Sequence, residues 1–330
     1  MGSREILKKV QDILGAKEIA EKELIQQLWS GYGSLYRCDV KGLPYNSIIL
    51  KHIKTQAMSR HPRGWNTSLS HDRKVNSYNV EIAWYKNFAN GCDLASRVPN
   101  CLALFEMNGE QVIVMEDLEA SGFYPRQYNL SFNEIFATLK WLANFHATHM
   151  GVAPVGLWDI GTYWHLDTRP EELEAMSDLP LKKAAKSIDE HLNGCVYQTL
   201  VHGDAKVANF CYSEEGNQVA GVDFQYVGAG CGMKDVAYFI SSCLYEEDCE
   251  HYEQELLDCY FGALKEALIL KKPQLNVEEV LKEWRSMYIY AWTDFYRFLQ
   301  GWSPDHWKIN GYNQKLAKKV INELKSGGKR

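Results

Sequence analysis

Apolar residues at Ile6, Leu7, Val10, Ile13 and Leu14 recur at helical spacing and stop before Gly15, which predicts a helix at the start of the chain. The helical pattern extends over residues 3–29, with a second piece at Ile19–Leu28. The period then changes. Gly31 and Gly33 stand between Ser30 and Ser34, and the residues after them alternate as a strand does. Ser47–Ile53 is an apolar run with one lysine, Lys51, the pattern of a buried strand. Val80, Trp84 and Phe88 then form one apolar stripe of a helix, with Glu81 beside the stripe. Cys101–Phe105 and Gln111–Met115 flank Asn108-Gly109, the dipeptide of a tight hairpin.

In the second half, Ser131-Phe132-Asn133-Glu134 has the form of a capping box and opens a helix with His146 on its apolar face. A histidine there serves either the core or catalysis. Residues 151–198 combine an early Pro, Gly and Trp region with a charged helical stretch, Glu171–Leu192, and are expected to behave as a mobile or insert-like part. Two short apolar runs follow, Thr199–Val201 and Val219–Val222, each leading to an aspartate, Asp204 and Asp223. From 235 to 325 the pattern is almost entirely helical, and Asp235 suits the N-terminal end of the first of these helices. The segment Lys54–Asn76 carries no such pattern. A loop that long is usually functional or disordered, and its basic residues, Arg73 and Lys74 among them, either cover a polyanion or are solvated.

Composition narrows the class. The chain has 330 residues, room for two lobes, and 46% of them are hydrophobic, enough for a sizeable core. A net charge of −6 offers no electrostatic footprint for nucleic acid. No apolar run approaches the roughly 18–20 residues of a membrane span, and the first residues are too polar for a secretory signal. Nine cysteines without a Cys-x-x-Cys pair fit a reduced, cytoplasmic setting better than a disulfide or zinc framework.

The candidate chemistry centres on 199–225. Asp204, Asn209 and Asp223 offer hard oxygen groups of the kind magnesium takes, and one carboxylate could instead accept a proton from a hydroxyl. Lys51 is costly inside an apolar strand unless its ammonium has a partner. It either reaches water from an edge strand or sits in a cleft, where Glu81 is a candidate partner. The turn at Gly31 and Gly33 either exposes backbone N–H groups to an anion or is a plain hairpin turn. It lacks the Gly-Lys-Ser/Thr of a P-loop and the third glycine of a dinucleotide fingerprint. The aromatics of the last helices, with Trp284, Tyr288 and Trp292 on one face, form either a core or a wall for an apolar or cationic substrate.

The order of these pieces resembles the protein-kinase-like fold, in the branch that phosphorylates small molecules: aminoglycoside phosphotransferases, choline kinases and ecdysteroid kinase-like proteins. The resemblance spans roughly 25–300 and rests on His202-Gly203-Asp204-x4-Asn209 with Val222-Asp223-Phe224-Gln225. The latter, with Leu142-Ala143-Asn144-Phe145-His146-Ala147, is most similar to the ecdysteroid kinase-like and choline-kinase-like members. It implies an α+β, two-lobed fold: an N-terminal nucleotide-binding lobe over 1–117, an antiparallel sheet with a helix, and a mainly helical lobe over 118–330 for catalysis and substrate. It implies an ATP- and Mg2+-dependent kinase acting on a small-molecule alcohol. Asp204 would be the base and Asn209 and Asp223 the metal ligands. Lys51 would touch the phosphates with Glu81 holding it. Ser30, Gly31, Gly33 and Ser34 would cover the phosphates, and Glu116 to Leu118 would meet adenine through backbone groups. His202 would be structural. The sequence departs from protein kinases in having His-Gly-Asp, Asp-Phe-Gln and no Ala-Pro-Glu segment, which argues against a protein substrate. The sparse glycine loop leaves a second reading, a nucleotide-binding pseudokinase or scaffold.

Overall fold

The computed structural model describes residues 2–28, 31–54, 68–126 and 129–327. Helix α1 (Gly2–Leu14) ends at Gly15, whose φ of 69° only glycine adopts readily. Five antiparallel strands follow: β1 (Glu18–Gln27), β2 (Gly33–Lys41), β3 (Ser47–Ile53), β4 (Cys101–Met107) and β5 (Glu110–Glu116). They form one sheet in the order β1-β2-β3-β5-β4. Helix α2 (Ser68–Asn87) lies between β3 and β4 in sequence. The two-residue periodicity of β3 divides its side chains between two cores. Leu50 joins Ile6 and Val10 of α1, with Val112 and Val114 of β5. Ile53 joins Tyr78, Val80 and Trp84 of α2. The turn between β4 and β5 is Asn108-Gly109, with positive φ at each residue (56° and 76°) as a primed turn requires.

After a two-residue strand β6 (Tyr124–Pro125), the chain becomes mainly helical: α3 (Phe132–His149), α4 (Pro170–Ala175), α5 (Leu179–Asn193), α6 (Met233–Cys243), α7 (Glu246–Lys271), α8 (Val277–Trp302) and α9 (Gly311–Gly327). Short strands β7 (Thr199–Val201), β8 (Phe210–Tyr212), β9 (Val219–Gly221) and β10 (Gly228–Gly230) lie between α5 and α6, where β7 pairs with β10 and β8 with β6 and β9. The capping box forms at α3: Ser131 Oγ accepts from the Glu134 amide, and Glu134 accepts from the Ser131 amide at 2.8 Å. Trp284, Tyr288 and Trp292 are buried in the helical core.

Three expectations change. Residues 18–27 are strand β1, not helix. Glu, Lys, Ala, Leu and Gln there favour a helix locally, but pairing with β2 overrides that preference, and as an edge strand β1 buries almost nothing that could mark it as a strand. The end of the expected 54–76 loop is helical, because α2 begins at Ser68; residues 55–67 lie outside the described residues. Residues 151–198 pack as part of the helical body rather than standing off as an insert. Trp164 is fully buried, and its indole N–H donates to Asp294 of α8 at 3.0 Å.

Candidate active site

Lys51 lies in β3 between β2 and β5, opposite Leu35 and Ile113, so the edge-strand alternative does not hold. Its side chain points to the α2 side of the sheet, where Glu81 waits one helical turn before Trp84. The Lys51 Nζ to Glu81 Oε2 distance is 2.6 Å, and each residue is at most 5% exposed. A buried ion pair is costly to desolvate and very costly to break. Burial alone would lower the Lys51 pKa, but Glu81 and Asp223 outweigh it and hold the lysine above its ordinary value. Burial pushes the Glu81 carboxyl up, with Lys51 opposing it.

The helical body supplies the facing groups. Asp223 follows β9 with φ of 66°, a left-handed conformation that costs a non-glycine residue about 1–3 kcal/mol. That turn brings its Oδ1 to 3.6 Å from Lys51 Nζ, too long for a hydrogen bond, and Oδ1 is buried with no hydrogen-bond partner. Burial would raise the Asp223 pKa, yet Lys51, Lys206 and Lys74 hold it below the usual carboxylate range. It is therefore an anionic oxygen with spare coordinating capacity. The amide nitrogen of Asn209 donates to the Asp204 carbonyl at 2.8 Å and to Asp204 Oδ2 at 3.0 Å, which leaves the amide oxygen as its free end. The Val222 amide donates to the Asn209 carbonyl at 2.9 Å, tying the two metal candidates together. No group of three His, Cys, Asp or Glu side chains is gathered as a metal cage among the described residues. Two protein oxygens are what magnesium takes when phosphates and water complete its shell.

Asp204 is held on each oxygen. Lys206 donates to Oδ2 at 2.8 Å, and the Tyr238 hydroxyl donates to Oδ1 at 3.3 Å. The loop that carries it is fixed from below. Asp235 of α6 accepts from the amides of His202 and Gly203 at 2.5 and 2.9 Å, and His146 of α3 contacts the same carboxylate at 3.1 Å. Asp235 thus anchors this loop, beyond its expected place at the start of its own helix, and His146 is a buried structural residue. His202 is fully buried, contacts the Val222 carbonyl through Nε2 at 2.9 Å, and packs on Phe224. Gly203 has φ of 79°, and a Cβ there would collide with the carbonyl oxygen of Tyr226. This is why the position holds glycine.

The remaining predicted residues lie around the N-terminal sheet. Gly31 and Gly33 form the turn that leads into β2, with φ of 77° and 131°, and Gly33 has no room for a Cβ beside the His52 carbonyl. Ser30 falls outside the described residues. Ser34 is buried, and its hydroxyl donates to Gln27 at 3.0 Å. Glu116 ends β5, with its side chain on Arg97, Asn100 and Ser121. Leu118 begins the connection beyond, and its carbonyl accepts from the Ser121 and Phe123 amides.

The profile of the ecdysteroid kinase-like family matches residues 53–154 and 162–272, more than half of the chain. The chain belongs to the ecdysteroid kinase-like family. A solved structure shares its fold: a choline kinase from Cryptosporidium parvum Iowa II is 12% identical, with 98% of this chain and 96% of that one covered at a TM-score of 0.55. A microcompartment-associated aminopropanol kinase is 13% identical over 96% and 93% of the two chains, with a TM-score of 0.48. A search of curated proteins gives no match. The two-lobed protein-kinase-like fold expected from the sequence is therefore the fold of this ecdysteroid kinase-like chain.

Sequence reasoning passed over two groups in this ecdysteroid kinase-like site and left a third open. Lys206 and Tyr238 hold Asp204. Lys74 of α2 donates to Gln225 Oε1 at 2.8 Å, and burial lowers its pKa to about 8 despite the opposing pull of Asp223. Lys206 had a signal, being two residues after Asp204, and Lys74 lay in the basic stretch already noted. Tyr238 had none, because only the packing of α6 brings it there.

Proposed function

We propose that this chain is an ATP- and Mg2+-dependent phosphotransferase that phosphorylates a hydroxyl of a small molecule. The observation that carries this reading is the Lys51–Glu81 pair facing an Asp223 whose Oδ1 lacks a hydrogen-bond partner. ATP supplies the γ-phosphoryl group, and Mg2+ neutralises charge on the phosphates. Asn209 and Asp223 would hold the metal. Lys51 binds the α- and β-phosphates, and Glu81 keeps its ammonium aimed at them. Gly31 and Gly33, flanked by Ser30 and Ser34, cover the phosphates, and the backbone from Glu116 to Leu118 meets adenine. Residues 1–117 then form the nucleotide lobe and 118–330 the catalytic and substrate lobe.

Asp204 orients the acceptor hydroxyl and takes its proton. The new bond joins the acceptor oxygen to the γ-phosphorus, and the bond from that phosphorus to the β–γ bridging oxygen breaks, leaving ADP. Lys206, donating to Asp204 Oδ2, keeps the carboxylate pointed. Positioning and charge neutralisation are what this reaction asks of a protein.

The test is ADP release from ATP and Mg2+ across a panel of alcohols. Asp204→Ala should lower transfer by about 10²-fold or more while ATP binding, read by thermal shift, persists. Normal turnover by that variant would refute the assigned base. ATP binding without transfer to any alcohol would favour the scaffold reading.

A further inference from the structure

Lys308 lies in the connection between α8 and α9, outside every role assigned above. Its Nζ sits over the ring of Tyr238 at 4.7 Å, with Phe295 at 5.4 Å and Trp307 at 5.7 Å. Tyr238 is the residue whose hydroxyl reaches Asp204, so one side chain links the candidate base to this ammonium. The rings of Tyr163 and Phe295 flank Tyr238 at 5.6 and 4.8 Å and extend the apolar wall.

The acids near this wall are already paired. Asp294 accepts from Arg297 at 2.8 Å and from Trp164, and Glu172 accepts from Arg169 at 3.0 Å through Oε1, its Oε2 being buried without a hydrogen-bond partner. Asp204, the acid that acts on Lys308 through space, carries Lys206 as its own partner. Among the described residues no carboxylate forms an ion pair with Lys308. Burial lowers its pKa to about 8, as suits an ammonium short of water and counter-charge.

An aromatic cage of this kind is a recognition device for cations, but here the protein's own cation fills it. A quaternary or primary ammonium brought to the same rings meets a like charge at short range. An anion there supplies the partner Lys308 lacks, through a charge-assisted hydrogen bond. We propose that the acceptor site of this chain takes an alcohol with a flat apolar body and an anionic group at the end away from the reacting hydroxyl, that Lys308 binds the anion, and that cationic alcohols are rejected. The inference rests on the phosphotransferase reading for the place of the hydroxyl, while its charge preference is measurable without transfer.

The probes are three alcohols of one shape: 4-(hydroxymethyl)benzoate, its methyl ester, and (4-(hydroxymethyl)benzyl)trimethylammonium. Binding is measured by titration calorimetry on the whole chain with Mg2+ and a non-hydrolysable ATP analogue, and ADP release is measured separately with ATP. The carboxylate should bind about tenfold more tightly than the ester, and the ammonium most weakly. Lys308→Met should bring the carboxylate to the level of the ester, Lys308→Glu should favour the ammonium, and Lys308→Arg should keep the original order. Equal binding of the three, tightest binding of the ammonium, no binding of the carboxylate, or an unchanged order in Lys308→Met overturns the inference. Charge-ranked binding without ADP release from any alcohol leaves the inference standing and removes the kinase reading. ADP release without charge ranking does the reverse.

Discussion

The indole of Trp84 and the ring of Phe224 stack with centroids 4.4 Å apart and planes 14° from parallel. Trp84 lies three residues after Glu81 on α2, and Phe224 follows Asp223. The stack therefore joins the helix that positions Lys51 to the turn that positions the candidate metal ligand. Phe224 also packs on His202 at 4.7 Å, which extends the column to the loop of Asp204.

If this column acts as one unit, Trp84→Leu and Phe224→Leu should couple. A double-mutant cycle by chemical denaturation should return about 0.5–1.5 kcal/mol of interaction energy. Each single variant should lower turnover more than ATP binding, because it loosens the register of Lys51 against Asp223. Additive effects would mean that the two rings are independent core residues.

Asp235 should matter out of proportion to its distance from substrate. It accepts from two loop amides as a carboxylate, and hydrogen bonds to a charged group contribute about 1.5–3 kcal/mol each. Asp235→Ala should lower the denaturation midpoint and cut turnover at least tenfold while leaving the nucleotide affinity close to wild type. Asp235→Asn, which keeps the shape, should recover part of the stability.

Gly203→Ala tests the loop from the other side. The positive φ and the collision with the Tyr226 carbonyl leave no conformation that suits both residues. The cost should exceed the roughly 1 kcal/mol scale of unstrained glycine substitutions, and the loop should shift enough to lose transfer. A fully active Gly203→Ala variant would show that the loop is not held as described.

Lys74 gives a pH-dependent signature. Its pKa, lowered to about 8 by burial, leaves it partly neutral near that pH, and arriving phosphates favour the charged form. Binding of Mg2+ and ATP near pH 8 should take up protons, seen as a dependence of calorimetric heat on buffer ionisation enthalpy. The uptake should vanish well below pH 8, where the lysine is already charged, and in Lys74→Met. A lysine depressed in the folded state binds fewer protons there than in the unfolded chain. Between pH 8 and the ordinary value of 10.5, wild-type stability should therefore rise with pH relative to Lys74→Met.

Much of this candidate site was legible because its residues lie within or just after strong local patterns. Lys51 stands out as a cation in an apolar strand, Glu81 as an acid beside a helical stripe, and Asp204, Asn209 and Asp223 as a fixed spacing. Residues 18–27 were not legible, since an exposed edge strand of helix-favouring residues carries its information in the partner strand. Lys308 was passed over because nothing within its own segment distinguishes it from a solvated lysine.

By itself the sequence determined the strands and helices with one buried face and the chemical inventory of the candidate site, while the fold class came from the resemblance that their order carries. Hydrophobic periodicity and short-range spacing are properties of the chain alone, and they survive without knowledge of what packs where. Tertiary structure decided which acids are spent and which are free. Asp235 is consumed by backbone amides and Asp294 by an arginine, while Asp223 keeps an oxygen without a donor. It also decided that an aromatic wall facing Asp204 holds the protein's own lysine. Burial and pairing set the charge that a group presents, and they depend on residues distant in sequence.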